Sequence, residues 1–158
     1  FSELPVRVCH NDTKLNNILF SSDHQALCLI DLDTIMPGIF LYDFGDAVRT
    51  IANSAPEDER DLDRIHFDEE LFKNFIEGLA FHKNLLREDE IEQLPSGAVL
   101  MPFLHGMRAL TDYLENNRYY KVSYELQNLD RSFSLFRFAE LALVKRDFMK
   151  TCIRELLL

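Results

Sequence analysis

Residues 9–33 constrain the fold more than any other stretch. A polar loop, Cys9-His10-Asn11-Asp12-Thr13-Lys14, leads into two apolar runs, Asn17–Phe20 and Ala26–Ile30. Each run is too short for a stable helix, and Ser21-Ser22-Asp23-His24-Gln25 between them has the composition of a hairpin connection. Val6–Cys9 is a β-branched run that delivers the chain into the loop. Pro37-Gly38 is a turn signal that ends the sheet. The pattern predicts a loop, a hairpin and an acidic strand end that gather Asp12, Asn17 and Asp31 at one place.

Beyond the turn the periodicity is helical. Asp43 is a candidate cap for a helix over 44–53, and Asp68 for one over 69–83 whose apolar face is Leu71, Phe72, Phe75, Ile76, Leu79 and Phe81. The acidic stretch from Ala55 to Asp63 reads as a solvated loop or a helix start. A short helix is expected over 88–94, ended by Pro95-Ser96-Gly97, and a longer one over 97–115, stopped by Asn116-Asn117. From Asn128, a candidate cap, helical spacing runs to about Leu156. The expected fold class is α+β, mostly α-helical, in a single domain spanning residues 1–158.

Composition narrows the partners. A formal charge of −10 without a basic tract disfavours nucleic acid and anionic lipid and favours a small-molecule ligand. No stretch reaches the ~18 apolar residues of a membrane span. Cys9, Cys28 and Cys152 are odd in number and widely spaced, as expected of buried free thiols in a reducing cytoplasm.

The chemistry follows from spacing. His10-x-Asp12-x-x-x-x-Asn17 matches the H-x-D-x-x-x-x-N of kinase catalytic loops. Phosphoryl transfer from ATP needs an acceptor for the hydroxyl proton, oxygen ligands for Mg²⁺ and a cation near the moving phosphoryl group. Asp12 is the candidate base, and the Asn17 amide oxygen and the Asp31 carboxylate are candidate metal ligands. Asp33 is an additional ligand candidate, on the same face if the strand continues. Lys14 is the candidate phosphoryl-binding cation, against the plainer reading of a solvated pair with Asp12. His10 is expected to hold the loop by hydrogen bonds. Asp43-Phe44-Gly45 spells the kinase D-F-G but lies past the Pro-Gly turn, so Asp43 is expected as a helix cap or loop anchor. Hydrolase signatures G-x-S-x-G and H-E-x-x-H are missing, and a Cys9–His10 thiol pair would point to opposite faces of an extended segment.

The segments HNDTKLNNILF, IDLDTIMPGIFLYDFGDAVR, GMRALTDYLENNRYYKV and QNLDR resemble the aminoglycoside phosphotransferase and choline kinase-like superfamily, and within it the bacterial N-acetylhexosamine 1-kinases. The resemblance implies a protein kinase-like C-terminal lobe that uses ATP and Mg²⁺ to phosphorylate the anomeric hydroxyl of N-acetylglucosamine or N-acetylgalactosamine. It implies that Asp12 is the base, that Asn17 and Asp31 hold metal, and that the GMRALTDYLENNRYYKV block lines the sugar side of the cleft. Within that block Arg108 and Tyr119 are the candidate sugar-binding residues, since a guanidinium and a phenol suit sugar hydroxyls and an N-acetyl carbonyl, against the plainer reading that they pack and pair between helices. An aminoglycoside, choline or homoserine kinase, or a noncatalytic kinase-like binding module, is the alternative. Neither G-x-G-x-x-G nor G-x-x-x-x-G-K-[ST] occurs. The expectation is therefore a C-terminal lobe whose N-terminal ATP-binding lobe is absent, with little turnover by itself.

Overall fold

The computed structural model describes residues 4–158. Two small antiparallel ladders carry the loop, one nested inside the other. Strand β1 (Arg7–Cys9) pairs with β4 (Met36–Gly38), setting Val8 opposite Pro37, and between them β2 (Ile18–Phe20) pairs with β3 (Ala26–Leu29). The outer ladder closes the chain on itself, so everything from His10 to Ile35 is one loop with a hairpin at its centre. Pro37-Gly38 is therefore strand rather than turn. A two-stranded ladder has only edges, and there Pro can turn its missing N–H away from its partner.

Five helices follow: α1 (Phe40–Ile51), α2 (Glu69–Ala80), α3 (Glu88–Leu114), α4 (Gln127–Val144) and α5 (Arg146–Leu157). Helix α3 lies along both α1 and α4, and α2 packs on α5. Phe44, Phe72, Ile76, Leu94, Phe138, Met149 and Ile153 form the buried centre. The core is aromatic, with Phe67 stacked on Phe138 at 5.8 Å and Phe44 edge-on to Phe72 at 6.4 Å. As expected, Asp68 caps α2 by accepting from Leu71 N, and Asn116 and Asn117 end α3 in the left-handed region at φ 65° and 54°.

Several helix boundaries differ from the sequence expectation. Helix α3 runs unbroken through Pro95 and Pro102. A proline inside a helix costs about 3 kcal/mol, but Leu94, Pro95 and Ala98 are buried there, and full burial of one leucine alone contributes roughly 2 kcal/mol. Gly97 settles the matter: a Cβ on it would lie 2.4 Å from Leu41 O, so α1 and α3 touch backbone to backbone. Helix α1 begins at Phe40, which places Asp43 inside the first turn, not at the cap. The last helical run is two helices parted at Lys145, whose ammonium reaches Glu69 on α2 at 2.6 Å. The break lets Met149, Cys152 and Ile153 bury while the apolar period continues, which is why spacing alone did not reveal it. Asn128 is not a cap either. It lies in the first turn of α4, fully buried, and donates to Asp112 at 2.8 Å and Asn117 at 2.9 Å.

Cys9 and Cys152 are buried, whereas Cys28 is exposed on β3, because the open face of the hairpin carries it outward. Among the described residues no helix is long and apolar enough to cross a membrane. Glu90 joins the sheet to α3: Arg7 donates to both of its carboxylate oxygens at 2.6 Å, and Glu90 is only 3% exposed. Burial works to raise its pKa, but the Arg7 hydrogen bonds and the Arg87 N–H outweigh that and hold it low. The pair therefore adds stability above the unfolded carboxyl pKa, and that stability is lost as pH falls through the depressed folded value.

Candidate active site

The loop is pinned from below by α1. Asp43 accepts from His10 N at 2.8 Å and from Asn11 N at 2.7 Å, and Thr13 Oγ1 donates to the Asp43 carbonyl. Asn11 can present its N–H this way because it adopts φ 62°, a conformation asparagine tolerates better than most residues. Its own amide donates to Thr34 O at 3.1 Å, tying the loop to the chain beyond the hairpin. His10 is buried with Nε2 3.1 Å from Ile30 O, the structural role expected of it. Asp43 is thus the loop anchor that its sequence position allowed. Asp43→Asn is expected to replace one accepted N–H bond with a donor clash, costing about 1–3 kcal/mol. Differential scanning calorimetry reads that loss directly.

Held in this way, Asp12 meets Lys14 and Asn17. Lys14 Nζ lies 2.7 Å from Asp12 Oδ2, and Asn17 Nδ2 donates to the same oxygen at 2.9 Å and to Asp12 O at 2.8 Å. Asp12 Oδ1 has no hydrogen bond among the described residues. Burial works to raise the Asp12 pKa, but the Lys14 and Asn17 bonds prevail and keep it below the ordinary carboxylate value. Lys14 behaves conversely: burial lowers it, the Asp12 bond raises it more, and it stays charged.

Asp31 joins from the end of β3, 3.9 Å from Lys14 Nζ, with Ile30 N bonded to Asn17 O at 2.9 Å. It takes φ 62° and ψ 53°, left-handed for a residue that pays for it. That twist ends the strand, and residues 32–34 form a 3₁₀ turn. The face alternation that put Asp33 beside Asp31 therefore does not hold, and Asp33 is exposed on that turn.

Among the described residues no group of three or more His, Cys, Asp or Glu converges to hold an ion. Asn17 and Asp31 nonetheless fit Mg²⁺, which takes few protein ligands and completes its shell with phosphate and water. With Asn17 Nδ2 committed to Asp12, its Oδ1 is the atom left to ligate.

A cavity of about 370 Å³ opens beside the loop and is bounded by Asp12, Lys14, Arg49, Glu57, Arg108 and Tyr119. Arg108 and Tyr119 meet each other there, with Nη2 3.3 Å from the phenol oxygen. A wider apolar groove of about 700 Å³ runs between α3 and α4 along Val99, Phe103, Phe136 and Leu143, and none of the loop residues reaches it.

Several cavity residues escaped the sequence reading. Arg49 is buried with Nε 2.6 Å from Asp46 Oδ1, and its Nη1 is paired with Glu57. His105 Nε2 lies 3.1 Å from Asp46 Oδ1. Glu57 belongs to the stretch read as solvated and is exposed, yet it also pairs with Arg49 at the cavity edge. The spacing Asp46-x-x-Arg49 on one helix face was the available signal. Cys9 gives no support to a thiol nucleophile, since burial pushes its pKa up to about 11.

A model of the phosphotransferase enzyme family, APH, matches residues 2–83. That span holds the loop, both ladders, α1 and α2, and is just over half of the chain. The fold and the site thus define a kinase-like phosphotransferase in α+β form, dominated by helices. The chain belongs to the phosphotransferase enzyme family.

Proposed function

We propose that this chain is the C-terminal catalytic lobe of an ATP- and Mg²⁺-dependent kinase that phosphorylates the anomeric hydroxyl of N-acetylglucosamine or N-acetylgalactosamine. The carrying observation is the hydrogen-bonded cluster of Asp12, Lys14 and Asn17, opening on a cavity whose far wall is Arg108 and Tyr119. Asp12 Oδ1 accepts the hydroxyl proton as the sugar oxygen attacks the γ-phosphorus in line and ADP leaves. Lys14 holds the equatorial phosphoryl oxygens as a point charge. Asn17 Oδ1 and the Asp31 carboxylate would hold Mg²⁺, which would supply positive charge against the phosphate groups. Arg108 and Tyr119 donate to sugar hydroxyls and to the N-acetyl carbonyl.

The nucleotide's remaining contacts come from an N-terminal lobe. Val8 is 83% exposed, Leu27 64% and Met36 51%, an apolar outer face on the two ladders that such a lobe would cover. The test is ³¹P NMR of the two-lobed enzyme with ATP, Mg²⁺ and each N-acetylhexosamine. An anomeric sugar phosphate is the expected product. Phosphorylation of choline, homoserine or an aminoglycoside, with no N-acetylhexosamine product, would overturn the substrate assignment.

A further inference from the structure

The cavity beside Asp12 carries a charge surplus that the chain as a whole does not. Lys14 is answered by Asp12, and Arg49 by Asp46 and Glu57. Arg131, from α4, is answered only in part. Its Nη1 donates to the neutral Asn128 Oδ1 at 2.9 Å, while Nε stands 3.8 Å from Glu57 Oε2, beyond hydrogen-bond range, and lacks a partner among the described residues. The guanidinium rests on the Tyr120 ring at 5.0 Å, and Arg108 approaches that ring at 6.0 Å. Asp112, the nearby carboxylate, is turned to the backbone N–H groups of Tyr119 and Tyr120 at 2.7 and 2.9 Å and does not line the cavity. Burial raises the Tyr120 pKa, so its phenol adds no negative charge.

We propose that Arg131, braced by Tyr120 and Asn128, is a specificity-determining residue that makes the cavity select neutral acceptors and reject cationic ones. The proposal rests on the reading of this cavity as the acceptor site, though not on which sugar fills it. A formal charge of −10 would by itself suggest a taste for cations, but the acidic groups that create it lie largely outside the cavity. An ammonium brought beside Arg131 meets a like charge that is anchored and incompletely neutralised. In a site partly shielded from water, that repulsion is worth roughly tenfold or more in affinity.

Two acceptor pairs of matched shape and unlike charge test this. The first is N-acetylglucosamine against glucosamine near pH 6, and the second is 3,3-dimethylbutanol against choline. The chain has no Trp and five Tyr, two of which border the cavity, so tyrosine fluorescence reports binding. The expected result is that the neutral member of each pair binds at least about tenfold more tightly, that Arg131→Gln shrinks the ratio toward one, and that Arg131→Lys restores it. Circular dichroism melts establish that both variants are folded. Equal or tighter binding of the cationic members by the wild type overturns the proposal, as does binding of neither neutral member. An Arg131→Gln variant that keeps the full ratio also overturns it. Preference for dimethylbutanol over choline without any sugar binding would leave Arg131 its role and remove the N-acetylhexosamine assignment.

Discussion

Asp12→Asn is expected to lower kcat of the two-lobed enzyme by about 10²–10⁴-fold, the usual contribution of a positioned general base. Acceptor affinity should change little. The asparagine oxygen can still accept from Lys14 and Asn17, which bond Asp12 at 2.7 and 2.9 Å, so the loop keeps its shape while the proton acceptor is lost. The pH profile supplies a second reading of the same residue. Burial works to raise the Asp12 pKa, but the Lys14 and Asn17 bonds outweigh it and place it below the ordinary aspartate value of about 3.9. Its acidic limb should therefore lie below that value. An acidic limb near neutrality would assign the proton transfer to another group.

Gly45→Ala is expected to be the most damaging small substitution in the fold. A Cβ at Gly45 would stand 2.1 Å from Gly97 O and 2.5 Å from Gly97 C, and both atoms are helix backbone with no rotamer to retreat into. Helices α1 and α3 must then part, at about 3 kcal/mol, near the top of what overpacking costs. For a chain of this length that lowers Tm by roughly 6–12 °C. The damage should reach the site, because α1 carries Asp43, which holds His10 and Asn11. Gly78→Ala provides the opposite sign. Nothing lies within 4 Å of its Cβ position on α2, so alanine there should add about 0.5–1 kcal/mol of stability.

What the sequence revealed divides along the range of the interactions. The loop, the hairpin and the meeting of Asp12, Asn17 and Asp31 depend on spacing within some twenty residues and were readable from it. Asp33 was misplaced because a left-handed φ of 62° at Asp31 breaks strand alternation, and alternation is all that a polar run can offer. Pro95 looked like a stop because its cost is local, whereas its compensation is tertiary, in the Gly45–Gly97 contact and the buried Leu94. Glu57 and Arg131 were hidden for a similar reason. Their approach is tertiary, made where the segment after α1 comes beside α4 at the cavity, and in sequence Glu57 is one acid among several.

In the proposed kinase, Asp12, Asn17 and Asp31 form one metal-nucleotide centre. Paramagnetic broadening by Mn²⁺–ATP tests it most directly, since Mn²⁺ takes the oxygen ligands that Mg²⁺ takes. The expected result is selective loss of amide signals from residues 10–18 and 29–33, and recovery of those signals in Asp31→Asn at the same Mn²⁺–ATP concentration. Broadening centred elsewhere, or unchanged by Asp31→Asn, would contradict it.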